Sequence, residues 1–260
     1  MQVVIPMAGH SLRFKKRGYK RPKAFIIIDG KAMIQWVVDM FSPKDQFFFV
    51  VLKEHMAIPE FKQIILESAS NVQIVEIESH EKGPVHSALA LDKIISKNKP
   101  LILSYCDFYQ HWNYDQFLLK MGNFDGGIAV FKGFHPASFG KTFYAYIRAN
   151  KNLEMLELRE KQSFTNNRHQ EFASTGVYYF DSWNLFRKYS ANLFKSKATI
   201  GNEYYASLIY NHMIKDGKLI TLFEVDKFIC WGTPDDLEQY FFWSEFFGKS
   251  GSQIKNRKFL

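Results

Sequence analysis

Cysteine is nearly absent. Cys106 and Cys230 are the only two in 260 residues, they stand far apart, and they form no C-x-x-C or zinc-type spacing. A disulfide scaffold and a structural zinc site are thereby excluded, and a reducing, cytoplasmic compartment is expected. Long apolar runs are missing too. No stretch approaches the roughly 18 residues of a spanning helix, and no cationic segment leads into a long apolar one at the start. Neither membrane insertion nor a secretory leader is therefore expected. No internal repeat or low-complexity linker is present. Acid is in short supply, 26 Asp and Glu against 34 Lys and Arg, giving a formal net charge of +8. That balance fits nucleic acid, an anionic lipid surface or a small anionic substrate. A nucleic-acid binder spreads its cations along a face with interleaved aromatics. Here seven cations crowd between Arg13 and Lys23, which favours a small phosphate ligand and no nucleic acid. A second basic stretch, Lys249 to Lys258, reads as solvated.

Hydrophobic residues make up 47% of the chain, with 26 Phe and 13 Tyr, so a large aromatic core is expected. Short apolar runs alternate with helical patterns. Gln2–Pro6, Gln46–Leu52, Val72–Ile77, Pro100–Ser104 and Gly126–Phe131 read as strands, and Ala24–Ile28 as a further buried run. Lys31–Phe41, Pro59–Ser68, Gly83–Ser96 and Tyr114–Met121 read as helices. This β-α-β-α order predicts an α/β fold: a Rossmann-like three-layer α/β/α arrangement on a mostly parallel mixed sheet. Beyond Phe143 the pattern changes. Tyr144–Arg148, Met155–Leu158, Ser174–Phe180 and Leu219–Glu224 read as strands of mixed direction, with helices at Asn202–Lys215 and Thr233–Trp243. One domain over 1–260 is expected: a nucleotide-binding half at 1–131, an acceptor half with a terminal helix at 132–245, and a basic stretch at 246–260.

The basic loop follows the carboxyl end of the first strand, where open α/β sheets bind ligands. The spacing Gly–x3–Arg–x9–Lys, from Gly9 through Arg13 to Lys23, suits a polyphosphate, with backbone N–H groups and cations meeting the oxygens. The competing reading is a turn with solvated cations. Lys23, placed before a buried strand, would neutralise a transferring or departing phosphate. Asp107 ends the buried run Leu101–Ser104 and its continuation Tyr105-Cys106. An acid there needs a partner, water or a metal, and Mg²⁺ with substrate phosphates is a natural one. A helix cap or surface acid is the plainer alternative. No D-x-D occurs at this point, which argues against a glycosyltransferase. Gly83-Pro84 opens a helix whose N-terminus can meet a base carbonyl or a phosphate. His86 on that helix reads as structural. Glu160-Lys161 and Ser174-Thr175-Gly176 add a cation and a close-approach backbone, each unremarkable alone.

Pro6-Met-Ala-Gly9, Arg13-Phe14, Gly18-Tyr19, Pro22-Lys23 and Gly30-Lys-Ala-Met-Ile34 together resemble the signature of the sugar-phosphate nucleotidyltransferases. Gly83 with Ser87-Ala88, Cys106-Asp107-Phe108, Glu160-Lys161, Ala173–Phe180 and Gly232-Thr-Pro-Asp-Asp-Leu237 resemble further segments of that family, in order, across nearly the whole chain. The resemblance implies the nucleotide-diphospho-sugar transferase fold and attack of an acceptor phosphate on the α-phosphorus of a nucleoside triphosphate. It implies Arg13 and Lys23 as catalytic triphosphate-holding cations, with Ala8, Gly9, His10, Ser11, Gly83 and Ser87 around the nucleotide. It implies Asp107 on Mg²⁺, and Lys161 on the acceptor phosphate with Thr175 and Gly176 beside it. Three positions depart from the pattern. Ser11 stands where the family keeps glycine, Ala32 where it keeps proline, and Cys230 where many members carry an Asp. Asp226 would replace that Asp only with a shifted strand register. Tyr105–Tyr109, Trp112, Asn202–Tyr205 and Trp231–Pro234 resemble the members associated with capsule and surface polysaccharides. In that subgroup Tyr109, Trp112, Tyr204 and Tyr205 are the expected acceptor pocket and Glu203 its acceptor-reading acid. The expected activity is therefore Mg²⁺-dependent transfer from CTP or UTP to a sugar phosphate, or to a non-sugar phosphate such as phosphocholine. A glycosyltransferase of related fold and a non-catalytic binding module are the rivals.

Overall fold

The computed structural model describes residues 1–138 and 140–255. Its strands, in chain order, are β1 (Gln2–Pro6), β2 (Ile27–Ile28), β3 (Lys31–Ala32), β4 (Gln46–Leu52), β5 (Val72–Ile77), β6 (Leu101–Ser104) and β7 (Phe108–His111). β8 (Gly126–Phe131), β9 (Ala145–Ala149), β10 (Met155–Glu160), β11 (Phe172–Phe180), β12 (Ile220–Glu224) and β13 (Lys227–Cys230) follow. Helices α1 (Leu12–Lys16), α2 (Met33–Val38), α3 (Lys53–Met56), α4 (Pro59–Ser68) and α5 (Pro84–Ala88) belong to the first half. α6 (Tyr114–Met121), α7 (Trp183–Ser196), α8 (Ser207–Lys215) and α9 (Pro234–Lys255) complete the set. Within 249–258 no side chain is described, and 256–260 lie outside the described residues.

One sheet carries the fold. Its path runs β10-β9-β11-β6-β1-β4-β5, with β8 paired to β11 and β12 paired to β8. The pairs β1–β4, β1–β6, β4–β5 and β8–β12 are parallel, and β11 lies antiparallel between β6 and β8. The sheet is thus mixed and mostly parallel, as the element order implied. Continuous apolar strands follow from burial on both faces. Val3, Ile5, Phe47, Phe49 and Ile102 enter one core cluster. Val4, Phe48, Val50, Leu101 and Leu103, their neighbours in sequence, enter another. Successive side chains in a strand point to opposite faces, so each of these strands separates two cores.

Strand pairing positions the site. Gln2 pairs with Leu101 and Val4 with Leu103, so β1 and β6 end side by side and the segments after Pro6 and Ser104 leave the same sheet edge. Val177 pairs with Ser104, which brings residues 174–176 to that edge from the opposite direction. Glu160 ends β10 opposite Ala145.

Several elements differ from the sequence reading. The run Ala24–Ile28 is not one buried strand. Lys23–Phe25 form a 3-10 turn, and Ile27–Ile28 pair with Lys31–Ala32 in a small hairpin. Asp29 at φ 47° and Gly30 at φ 90° give that two-residue loop its left-handed turn. The expected Gly83–Ser96 helix is α5 followed by a 3-10 segment, Leu89–Lys93. The expected Asn202–Lys215 helix begins only at Ser207, because Tyr204 is drawn into backbone bonds. Its N–H donates to the Lys82 carbonyl at 3.0 Å, and its carbonyl accepts from Val85 N–H at 3.3 Å. The β7–β13 ribbon and helix α7 were not foreseen.

Candidate active site

The loop after β1 begins as a strand continuation, Met7 N–H donating to Val50 carbonyl at 2.9 Å. It then turns at Ser11, which takes φ 55° and ψ 34° and caps α1. Those angles are the ones a glycine adopts without strain, so serine here accepts a left-handed conformation. Its hydroxyl provides a compensation: Ser11 Oγ accepts the Lys23 backbone N–H at 2.9 Å. The loop and the 3-10 turn that carries Lys23 are thereby joined directly. Gly9 lies in open space, where an added Cβ would meet nothing within 4 Å.

Lys23 reaches Asp107, with Nζ 2.7 Å from Oδ2 and both side chains about one-fifth exposed. Burial works against the ammonium charge, but Asp107 outweighs it and the Lys23 pKa is raised. Asp107 is fixed through its backbone, since its carbonyl accepts Trp231 N–H at 2.8 Å. Gly232 sits against its carboxylate; a Cβ there would stand 3.2 Å from Asp107 Oδ2. Arg13 donates to the Gly232 carbonyl at 3.3 Å, so the first loop and the Gly232-Thr233-Pro234 turn form one wall. Other cations of the loop are used structurally. Arg17 pairs with Asp235 and Glu238, and Arg21 with Glu60.

Cys230 does not stand in for a carboxylate. Burial first, then Asp236 and Asp107, push its thiol up to about 12, so it is a neutral donor at pH 7. Asp226 does not replace it either. It lies at the ribbon end, two-thirds exposed, 3.1 Å from His111 Nδ1. Asp236 is held in the first turn of α9 by the hydroxyls of Thr233, at 2.6 Å, and Thr142, at 2.9 Å. Among the described residues no three His, Cys, Asp or Glu side chains converge to form a metal cage. One strand-end carboxylate beside a strongly cationic loop does suit Mg²⁺, which takes one or two protein carboxylates and completes its shell with substrate phosphates and water.

The opposite wall comes from β10 and the segment before α8. Lys161 has φ 55° and places Nζ 2.6 Å from the Tyr205 hydroxyl and 4.4 Å from the centre of its ring. Tyr205 in turn donates to Glu203 Oε2 at 2.6 Å. Glu160 is part-buried and accepts from the Ser207 hydroxyl, and desolvation raises its pKa despite that hydrogen bond and Lys161. Thr175 donates to the Ala129 carbonyl at 3.3 Å. Gly176, at φ 103°, comes so close to Tyr105 that an added Cβ would stand 3.1 Å from its ring.

These walls enclose a cleft of about 1650 Å³. Single-ligand pockets usually span about 300–1,000 Å³, so there is room for two substrates. The lining includes Ala8, Gly9, His10, Ser11, Arg13, Lys23, Gly83, Ser87, Asp107, Lys161, Thr175, Gly176 and Glu203. Tyr109 is the exception. It faces the other side of the ribbon, packed against Trp36 at 5.6 Å and Trp231 at 6.5 Å between ring centres. Alternation along β7 causes this: Phe108 and Gln110 are buried on one side, and Tyr109 takes the other. Trp112 and Tyr204 are also packing residues, against Phe117 and Phe194. Of the expected aromatic pocket only Tyr205 lines the cleft; Tyr105 and Tyr178, which were not expected in it, line it too. Gly83 has an unforeseen reason to be glycine. Its φ is 82°, and a Cβ would fall 2.9 Å from Glu203 Cβ and Tyr204 N.

Two cationic walls on one cleft, at the strand ends of a mostly parallel sheet, are the architecture of a nucleotidyltransferase. Within that class the chain belongs to the MobA-like NTP transferase domain family, whose model matches residues 3–164. No curated protein matches the chain. Among solved structures it is similar to a nucleoside-diphosphate-sugar pyrophosphorylase from Vibrio cholerae RC9, at 20% identity and TM-score 0.74, covering 92% of this chain and 98% of that one. An apo UDP-glucose pyrophosphorylase is similar at 18% identity and TM-score 0.72, covering 96% and 98%. The inositol-1-phosphate CTP transferase from T. maritima is similar at 15% identity and TM-score 0.67, covering 90% of each. At these identities the structures share the fold.

Proposed function

We propose that the protein joins a pyrimidine nucleoside triphosphate, CTP or UTP, to a small phosphorylated acceptor and releases pyrophosphate. The acceptor is a sugar 1-phosphate or a related phosphate, made for capsule or surface polysaccharide. The single observation that carries this reading is the Lys23–Asp107 pair on the wall facing Lys161 across one cleft.

The protein's part in such a transfer is positioning and neutralisation. Arg13 and Lys23 hold the triphosphate oxygens, with Arg13 on the departing pyrophosphate. Asp107 and the triphosphate would hold Mg²⁺, which when bound would supply positive charge against the phosphate oxygens. Lys161 holds the acceptor phosphate, whose oxygen forms a bond to the α-phosphorus as the bond to the β-phosphate oxygen breaks. That nucleophile is already anionic, so no group needs to take its proton. Lys23 exchanges Asp107 for phosphate when the triphosphate binds, and Lys161 exchanges Tyr205 for the acceptor. Glu160, Glu203 and Tyr205 read the rest of the acceptor.

Two free cysteines fit a reducing, cytoplasmic site of action. No described helix is long and apolar enough to cross a membrane. The test is a pyrophosphate-release screen of four nucleoside triphosphates against sugar, choline, glycerol, inositol and amino-acid phosphates with Mg²⁺. Acceptor-dependent release with CTP or UTP supports the reading. Release of UDP or CMP from a sugar nucleotide, with no pyrophosphate, would replace it with glycosyl transfer.

A further inference from the structure

The segment between β5 and α5 holds a hydrogen-bond relay that ends in the cleft. His80 Nδ1 lies 3.1 Å from the Lys82 backbone nitrogen, whose N–H donates to it. A ring nitrogen that accepts carries no proton, so the proton of neutral His80 sits on Nε2. His80 Nε2 lies 3.0 Å from Ser87 Oγ, and Nε2–H therefore donates to that hydroxyl. The His86 ring packs edge-on against His80 at 4.7 Å between ring centres, and burial first, then Lys82 and His10, hold His80 below its ordinary pKa. A hydroxyl that accepts from His80 is left with its own proton to give. Within the protein its acceptor is the Gly83 carbonyl at 3.4 Å, at the long end of hydrogen bonding. Ser87 is only 4% exposed, yet it lines the cleft.

We infer that His80 is a positioning residue that fixes Ser87 as a hydrogen-bond donor to an acceptor atom of the nucleobase, a carbonyl oxygen or unprotonated ring nitrogen. The inference rests on the reading that the α5 segment meets the base. His80 itself touches no substrate; its effect passes through the Ser87 hydroxyl. Glutamine carries an acceptor oxygen and a donor nitrogen at nearly the spacing of the two imidazole nitrogens, so His80→Gln can maintain the relay, whereas His80→Leu removes it.

Equilibrium binding of CTP, UTP and inorganic tripolyphosphate to the full chain, in the presence of Mg²⁺, tests this. One lost hydrogen bond of about 1.4 kcal/mol is about tenfold in affinity. His80→Leu and Ser87→Ala are each expected to weaken the better-bound nucleotide about tenfold. The double variant should be no weaker than either single one, because both remove the same bond. His80→Gln should restore binding to within about threefold of the parent, and tripolyphosphate, which has no base, should bind the parent and all four variants alike. Loss in Ser87→Ala without loss in His80→Leu overturns the inference and leaves the base reading standing, as does additive loss in the double variant. CTP and UTP binding no tighter than tripolyphosphate overturns the base reading itself. Weakened tripolyphosphate binding in His80→Leu marks a merely structural role and also overturns the inference.

Discussion

Ser11→Ala isolates the bond that compensates the left-handed turn of the first loop. Alanine keeps the residue at φ 55° and ψ 34° but removes the oxygen that accepts the Lys23 amide at 2.9 Å. The amide is left part-buried and unpaired, a loss of about 1–2 kcal/mol. Glycine at the same position loses the same bond but relieves a left-handed cost of about 1–2 kcal/mol, so its two effects nearly cancel. One kcal/mol moves the midpoint of a chain this size by about 2–4 °C. Ser11→Ala should therefore melt about 2–8 °C below the parent, and Ser11→Gly within about 2 °C of it. Reversible unfolding by heat, repeated in urea, reads this directly. Because the bond ties the loop to the turn bearing Lys23, Ser11→Ala should also weaken triphosphate binding more than Ser11→Gly does. An alanine variant as stable as the parent, or a glycine variant less stable than the alanine one, would refute the reasoning.

Lys23→Ala and Asp107→Ala should each reduce turnover by about a hundredfold or more, as removal of an electrostatic clamp does; a folded Asp107→Ala protein with near-normal rates in a steady-state assay would sink the metal assignment. Gly83→Ala forces a Cβ to 2.9 Å from Glu203 Cβ and Tyr204 N at φ 82°. It should destabilise by about 1–3 kcal/mol and raise the KM for the acceptor as Glu203 and Tyr205 shift, which kinetics with varied acceptor would show. Asp92 is bonded by Lys97 and Trp183 and lies close to Arg187, and its pKa falls from the ordinary 3.8 to about 2. The carboxylate's contribution to stability is thus present above pH 3.8 and is lost as pH falls toward 2. Urea midpoints should decline over that window in the parent and decline less steeply in Asp92→Asn.

The sheet was legible because burial on both faces leaves a simple record. Gln46–Leu52 has six buried apolar residues in succession, and such a run has little else to be. The first loop was legible for a different reason, that its cations crowd into eleven positions directly after a strand. Helix α7 was legible in principle, since Trp183, Phe186, Tyr189 and Leu193 keep a helical period, and was passed over. The aromatic pocket was not legible. Tyr109, Trp112, Tyr204 and Tyr205 are alike in sequence, and only the pairing of β7 with β13 and the contact of Tyr204 with Phe194 decide which rings pack and which line the cleft. Ser11 read only as a departure from the family's glycine; the bond its hydroxyl accepts from the Lys23 amide is a contact across twelve residues that no local pattern carries. Gly83 read as a base contact, and it does line the cleft; that Glu203 and Tyr204, from a segment 120 residues later, also press on it is a contact no local pattern carries.

The most direct test of the central reading follows the α-phosphate. CTP and UTP labelled at the α-phosphorus are incubated with the protein, Mg²⁺ and a panel of acceptor phosphates, and product and leaving group are separated. The account predicts that with one acceptor the label passes into a diphosphate-linked product while unlabelled pyrophosphate is released in equal amount, and that Lys23→Ala slows both by about a hundredfold or more. Label that remains in nucleoside triphosphate across the panel while the folded protein binds that nucleotide, or release of inorganic phosphate in place of pyrophosphate, would contradict it.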